Sequence, residues 1–313
     1  MSVGYQARYG VRTVAFSALA LLAVPGCGVK LTAATGSDAT ARSDDASVDL
    51  SDAAPDASTI DAMLGAWSAP QKIMPIATTA NEDDASMSPD LLEITFAIVV
   101  NGNKQLSRVT RATTASPWST VRSLNIQLAN VTDHTPRYSK DGLTLYFGST
   151  RNAGNEDIYM MTRATTTGPW GPPTALPAPI NSGSKERWFA PCEDGRYLMV
   201  SDRQTADNLD VYEGTIGGAA PVRVAALSTT NSETGTFLSA NCKHAFYTTT
   251  IGAKFGVMET FRNGAGWTTP TPVTEVNTAA ANVQDPWLST DAKLMLFVSD
   301  ASGSNDLYMI TRM

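Results

Sequence analysis

The strongest constraint on this chain is a repeat. From about residue 61 onward, a pattern of some fifty residues recurs five times. The fullest copy reads Pro136-Arg137-Tyr138-Ser139-Lys140-Asp141-Gly142, then Leu145-Tyr146-Phe147-Gly148-Ser149-Thr150-Arg151, then Asp157-Ile158-Tyr159-Met160, then Pro169-Trp170-Gly171-Pro172-Pro173. Each piece reads as a strand: one ending in an Asp-Gly turn, one apolar and β-rich, one after an Asn/Asp/Gly loop, and one led by Trp after a Pro turn. The turn positions 90, 141, 194, 241 and 291 are separated by 51, 53, 47 and 50 residues. Such regularity means that each copy is one structural unit packed on its neighbours. Four strands in a meander make a propeller blade, so the expected fold is all-β: a five-bladed β-propeller with four antiparallel strands per blade. The fifth copy stops at Met313, after its third strand. An unpartnered Trp-led segment, Trp67 to Ile73, stands at the other end and is expected to complete the last blade and close the ring.

The pattern Pro-x-x-Ser-x-Asp-Gly, Leu-Tyr-Phe-x-Ser-x-Arg, Asp-Ile-Tyr resembles the TolB-like propeller repeat, a relative of WD repeats. It is sharpest in copies two, three and five, whereas Leu91 and Asn241-Cys242 depart from the Asp-Gly turn in copies one and four. The resemblance implies a periplasmic or cell-surface binding scaffold.

Ahead of the repeats, residues 1–26 have the make-up of an export signal, with Arg8 and Arg12 before an apolar run from Val14 to Val24. That run is too short to span a bilayer. It ends in Val24-Pro25-Gly26-Cys27, which resembles a bacterial lipobox, and Cys27 is therefore the expected lipidation site. Gly28 behind it resembles the signal for passage to the outer membrane. Residues 27–60 are rich in Ala, Ser, Thr and Asp, with no aromatic residue, and read as a solvated tether. The expected organisation is signal peptide 1–26, lipidated tether 27–60 and propeller 61–313. The protein is expected to be exported and held by lipid alone at the outer membrane, on its periplasmic or surface side. Lys and Arg total 23 against 30 Asp and Glu, a net charge of −7, which disfavours nucleic acid as a partner.

Candidate chemistry lies eight residues before each turn, at Glu82, Asp133, Glu186, Glu233 and Val283. Four of five are acidic, and Asp285 lies two residues beyond the fifth. These positions lead into the innermost strands and are expected to ring the channel mouth. There they would either hydrogen-bond their own loops or recruit a cation or ligand. Asp83, Asp84, His134, Arg187, Trp188 and Trp287 share those loops, and Arg and Trp suit a sugar or peptide. Zinc needs clustered His or Cys, but His134 and His244 stand 110 residues apart. No Gly-x-Ser-x-Gly elbow is present. The main expectation is a monomeric, non-enzymatic module for an envelope protein or glycan, with no cofactor beyond a cation at the mouth. The alternative is a glycoside hydrolase using a pair of mouth carboxylates. The recurring Asp157, Asp210 and Asp306 read as turn caps, and the tryptophans Trp67, Trp118, Trp170 and Trp267 as packing between blades. Cys192 and Cys242 fall near the first turns of neighbouring copies, where an exported protein can form a disulfide or keep two buried thiols.

Overall fold

The computed structural model describes residues 65–74, 76–78, 80–152, 155–277 and 281–312. The expected export signal, Cys27 and the expected tether lie outside these residues. The described part is a five-bladed β-propeller of antiparallel meanders. Blade 1 runs through Glu82–Met87, Glu93–Val100, Asn103–Thr110 and Arg122–Ser123. Blade 2 comprises Asp133–Tyr138, Thr144–Asn152, Asn155–Thr162 and Thr174–Ala175. Blade 3 comprises Glu186–Pro191, Arg196–Thr205, Asn208–Thr215 and Val222–Arg223. Blade 4 comprises Thr234–Leu238, His244–Ile251 and Lys254–Asn263, with an outer edge split into Gly266–Trp267 and Thr271–Pro272. Blade 5 comprises Val283–Leu288, Leu294–Ser299 and Asp306–Thr311, and its fourth strand is Gln71–Lys72.

The apolar core lies between blades. Ala97 and Leu106 of blade 1 pack on Leu145 and Phe147 of blade 2. Ile158 of blade 2 meets Phe189, Tyr197 and Met199 of blade 3. Val200 and Val211 of blade 3 meet Leu238 and Ala245 of blade 4. One larger cluster joins Phe246 of blade 4, Phe297 of blade 5 and Phe96 of blade 1. Each of the Leu, Ile, Val, Met and Phe side chains among these contributes roughly 1.5–3 kcal/mol on burial. No blade could bury these faces alone, which is why the repeat must close on itself.

The first turn of every blade is held by an Asp or Asn cap, with a serine donating to it in all but blade 3, where the disulfide-bonded Cys192 stands before the cap Asp194. Ser88 donates to Asp90, Ser139 to Asp141, Ser239 to Asn241 and Ser289 to Asp291. The same acceptor oxygen takes the backbone N–H two residues on, from Leu92, Leu143, Arg196, Lys243 and Lys293. The residue between is left-handed in all five blades: Leu91, Gly142, Gly195, Cys242 and Ala292. The Asp or Asn cap therefore imposes the turn even where glycine is absent. At Asp141 this arrangement, led by the Ser139 hydroxyl and then the Leu143 amide, holds the carboxyl below its usual range.

Four blades also share an arginine stacked on a tryptophan. Arg111 lies 4.3 Å over Trp118, Arg163 4.2 Å over Trp170, Arg262 3.8 Å over Trp267 and Arg312 4.1 Å over Trp67. In three of them the guanidinium also donates from Nε to the left-handed turn residue, through the carbonyls of Leu91, Gly142 and Ala292. Stacking on an arginine of the same blade thus joins interblade packing as the role of these tryptophans. The Arg312–Trp67 pair reproduces inside the closed blade what the other blades make within one stretch of chain. Gln71 pairs with Met309 and Lys72 with Tyr308, while Ser68 N–H donates to the Thr311 carbonyl at 2.7 Å. Trp67→Ala is expected to cost about 1–2 kcal/mol. Amide hydrogen exchange should speed up selectively over Asp306–Thr311; uniform protection across blade 5 would show that closure does not depend on this stack.

Candidate functional site

The recurrent acids are turned into their own blades. Glu186 accepts from Ser182 N–H at 3.1 Å and Ser182 Oγ at 2.5 Å, from Ser201 at 3.1 Å and from Arg203 at 2.9 Å. Glu233 accepts from Thr229 N–H and Oγ1 and from Thr249. Glu82 accepts from Thr78 N–H and Oγ1. Asp133, one methylene shorter, takes Ser149 and Arg151 instead. All four are 0–1% exposed, so they do not line an open mouth. Burial raises the carboxyl pKa of each, against these hydrogen bonds. The Ser-x-Arg of the repeat and the acid are therefore one bonded unit. Where Arg is missing, as at Val100 in blade 1 and Ile251 in blade 4, an apolar side chain stands exposed at the hairpin end instead.

The axis itself is built two residues further on. Each inner strand carries a register shift just after its start. Asp84, Thr135, Trp188, Gly235 and Asp285 sit there with φ between 48° and 58°. A bulge of this kind re-aims a side chain, here toward the axis. In blade 4 only glycine fits, because a Cβ on Gly235 would come within 2.6 Å of Thr248 Oγ1. Around the ring, Thr236 donates to the Trp188 carbonyl at 2.6 Å, Thr248 accepts from Asp285 N–H at 3.1 Å, and Gln284 donates to Asp83 at 3.2 Å.

Three carboxylates meet at this level: Asp83, Asp84 and Asp285, all buried, with one oxygen of each within 4.8 Å of the others. Lys104 reaches in from the third strand of blade 1, 2.6 Å from Asp83 and 3.1 Å from Asp84. Trp188 Nε1 donates to Asp84 across the channel at 2.9 Å. Burial, then the charges of Asp84 and Asp83, push the Asp285 carboxyl well above its usual range. Asp84 is equally buried, yet Lys104 foremost holds it below. Beneath them Arg137, 2% exposed, reaches from blade 2 to carbonyls of three other blades, Ala85, Thr236 and Pro286.

The other residues singled out from the sequence are committed elsewhere. Trp188 and Trp287 are 6% and 7% exposed, and Trp287 packs edge-on against Phe237. Arg187 is paired with Glu156. Asp157, Asp210 and Asp306 are held by Asn152 and Asn155, by Arg223, and by Lys72 with Ser304. Cys192 and Cys242 are joined by a disulfide on the turn side of the blades, away from the carboxylates. Lys104 and Arg137 carry the axis site and had no signal beyond their charge, because neither position is basic in any other copy.

His134 offers a pH probe of this region. It is 3% exposed, and burial lowers its pKa to about 3, with Asp84 opposing and Lys104 and Arg187 adding to the effect. A group depressed below its unfolded value of 6.5 contributes stability above that pH and loses it as pH falls toward 3. Relative to His134→Gln, the protein should lose about 1.4 kcal/mol per pH unit below 6.5, or about 2 kcal/mol by pH 5. Urea unfolding of both proteins at pH 7 and pH 5 measures this; a constant difference would mean that His134 has the same pKa folded and unfolded.

No protein-family model matches the chain, and no curated protein matches it. Among solved structures it is similar to a thermostable family-43 glycoside hydrolase, at 10% identity and a TM-score of 0.53, over 77% of this chain and 92% of that one. It is also similar to the α-L-arabinofuranosidase PaAbf62A from Podospora anserina, at 12% identity and a TM-score of 0.52, over 78% and 95%. A putative TolB from Agrobacterium tumefaciens matches at 14% identity and a TM-score of 0.47, over 74% and 76%. At these identities the likeness is one of fold.

Proposed function

We propose that this protein is a non-enzymatic binding module of the cell envelope, tethered through Cys27, that takes an envelope protein or a glycan on its mouth face. One observation carries the reading: the recurrent acids are spent inside their own blades, bonded to Thr78, Ser182 and Thr229 and their neighbours. A repeated support of this kind is scaffold. The contact surface is then the rim, where the hairpin ends of blades 1 and 4 leave Val100, Ile251 and Phe255 exposed. Exposed apolar side chains on two blades beside a polar centre suit a partner that covers the mouth.

A second reading, a glycoside hydrolase, is favoured by the opposite pKa shifts of Asp84 and Asp285, since such a split marks an acid and a base. Against it, Asp84 is 0% exposed and already held by Lys104 and Trp188, and Asp285 is 2% exposed, so neither carboxyl stands open to a sugar. Binding of the detergent-solubilised full chain to arrayed glycans and purified envelope proteins tests the proposal. Val100→Asp with Phe255→Asp should weaken binding at least about tenfold, or 1.4 kcal/mol, and Glu186→Gln should leave it unchanged. Turnover of aryl glycosides that disappears in Asp84→Asn would replace binding by catalysis.

A further inference from the structure

We propose that Asp83, Asp84 and Asp285 form a site for one hard divalent cation of the calcium type on the propeller axis, held closed in the ion's absence by the Lys104 ammonium. The three oxygens lie within 4.8 Å of one another. A calcium ion takes carboxylate oxygens at about 2.3–2.6 Å, so a single ion reaches all three. The second observation is Asp285. Its carboxyl lies in this cluster and is 2% exposed, and its Oδ1 receives no hydrogen bond from an N–H or O–H donor among the described residues. A buried carboxylate oxygen without a partner is costly unless something fills the place. Lys104 satisfies the other two acids and leaves this one.

The exchange is mechanically simple. The Lys104 side chain is 30% exposed, so its ammonium can swing to solvent while the ion takes its place. Arg137 remains below, with its guanidinium bonded to the carbonyls of Ala85, Thr236 and Pro286, and it does not compete for the same oxygens. The ligands come from blades 1 and 5, the two blades that meet where the ring closes. A bound ion would thus clamp that junction. Asp83, Asp84 and Asp285 are buried, whereas the rim residues Val100, Ile251 and Phe255 are exposed, so substitutions of the acids and of the rim test different surfaces.

Terbium is the probe, because Trp188 Nε1 lies 2.9 Å from Asp84 and an ion there sits beside an indole donor. Titration of the full chain with terbium, exciting tryptophan, should give saturable green emission at one ion per chain, displaced by calcium. Asp285→Asn should weaken calcium binding at least about tenfold, and Lys104→Ala should tighten it several-fold by removing the competing cation. If Asp285→Asn does not fold, Trp188→Phe decides: emission should fall while calorimetric calcium binding persists. No saturable emission, emission unchanged by both variants, or calcium binding unaffected by Lys104→Ala would overturn the site.

Discussion

Arg137→Met is expected to lower the unfolding free energy by about 3–5 kcal/mol, the range for removing one partner of a buried charge network. The guanidinium is 2% exposed. It donates to the carbonyls of Ala85 at 3.1 Å, Pro136 at 3.0 Å, and Thr236 and Pro286 at 3.4 Å. Four of the five blades thereby share one side chain. Methionine fills much of the volume but leaves these acceptors unpaired and withdraws positive charge from beside Asp84 and Asp285. Arg137→Lys keeps the charge and reaches fewer carbonyls, so its loss should be smaller. Urea unfolding of the three proteins at pH 7 gives the numbers. Equal stability of Arg137→Met and the parent would mean that the axis is held by the interblade core alone.

Reduction of the Cys192–Cys242 bond should cost a similar amount. The two residues are 50 apart in sequence, and closing a loop of that length removes chain entropy worth about 4 kcal/mol from the unfolded state. Their places in the repeat explain a suitable control. Cys192 occupies the position of Ser139, and Cys242, with φ of 62°, that of Gly142. Cys192→Ser with Cys242→Gly restores the residues of blade 2, so its deficit should report the cross-link itself. Unfolding midpoints in urea with and without a reductant check this. A parent that unfolds at the same urea concentration in both conditions contradicts the expectation.

Much of this architecture is written along the chain. Turn caps, apolar strands and the stranded Trp67 segment are local patterns, repeated five times, and repetition makes each legible even where one copy has drifted. The left-handed turn at Leu91 persists because Asp90, not glycine, sets it. The acids at 82, 133, 186 and 233 were equally visible, but their direction was not. Whether Glu186 faces a channel or Ser182 depends on the bulge that follows it and on the Ser201 and Arg203 strand beside it.

The five-bladed ring, its strand count and its closing strand follow from periodicity and from the need to bury apolar faces between like units, and both are legible along the chain. The tertiary structure decided what occupies the centre. Asp83, Asp84, Lys104, Arg137, Trp188 and Asp285 come from blades 1, 2, 3 and 5 and meet only when the ring closes. Contacts between side chains as far apart as Asp84 and Trp188, 104 residues along the chain, have no local signature, and burial there set both their charge states and their partners.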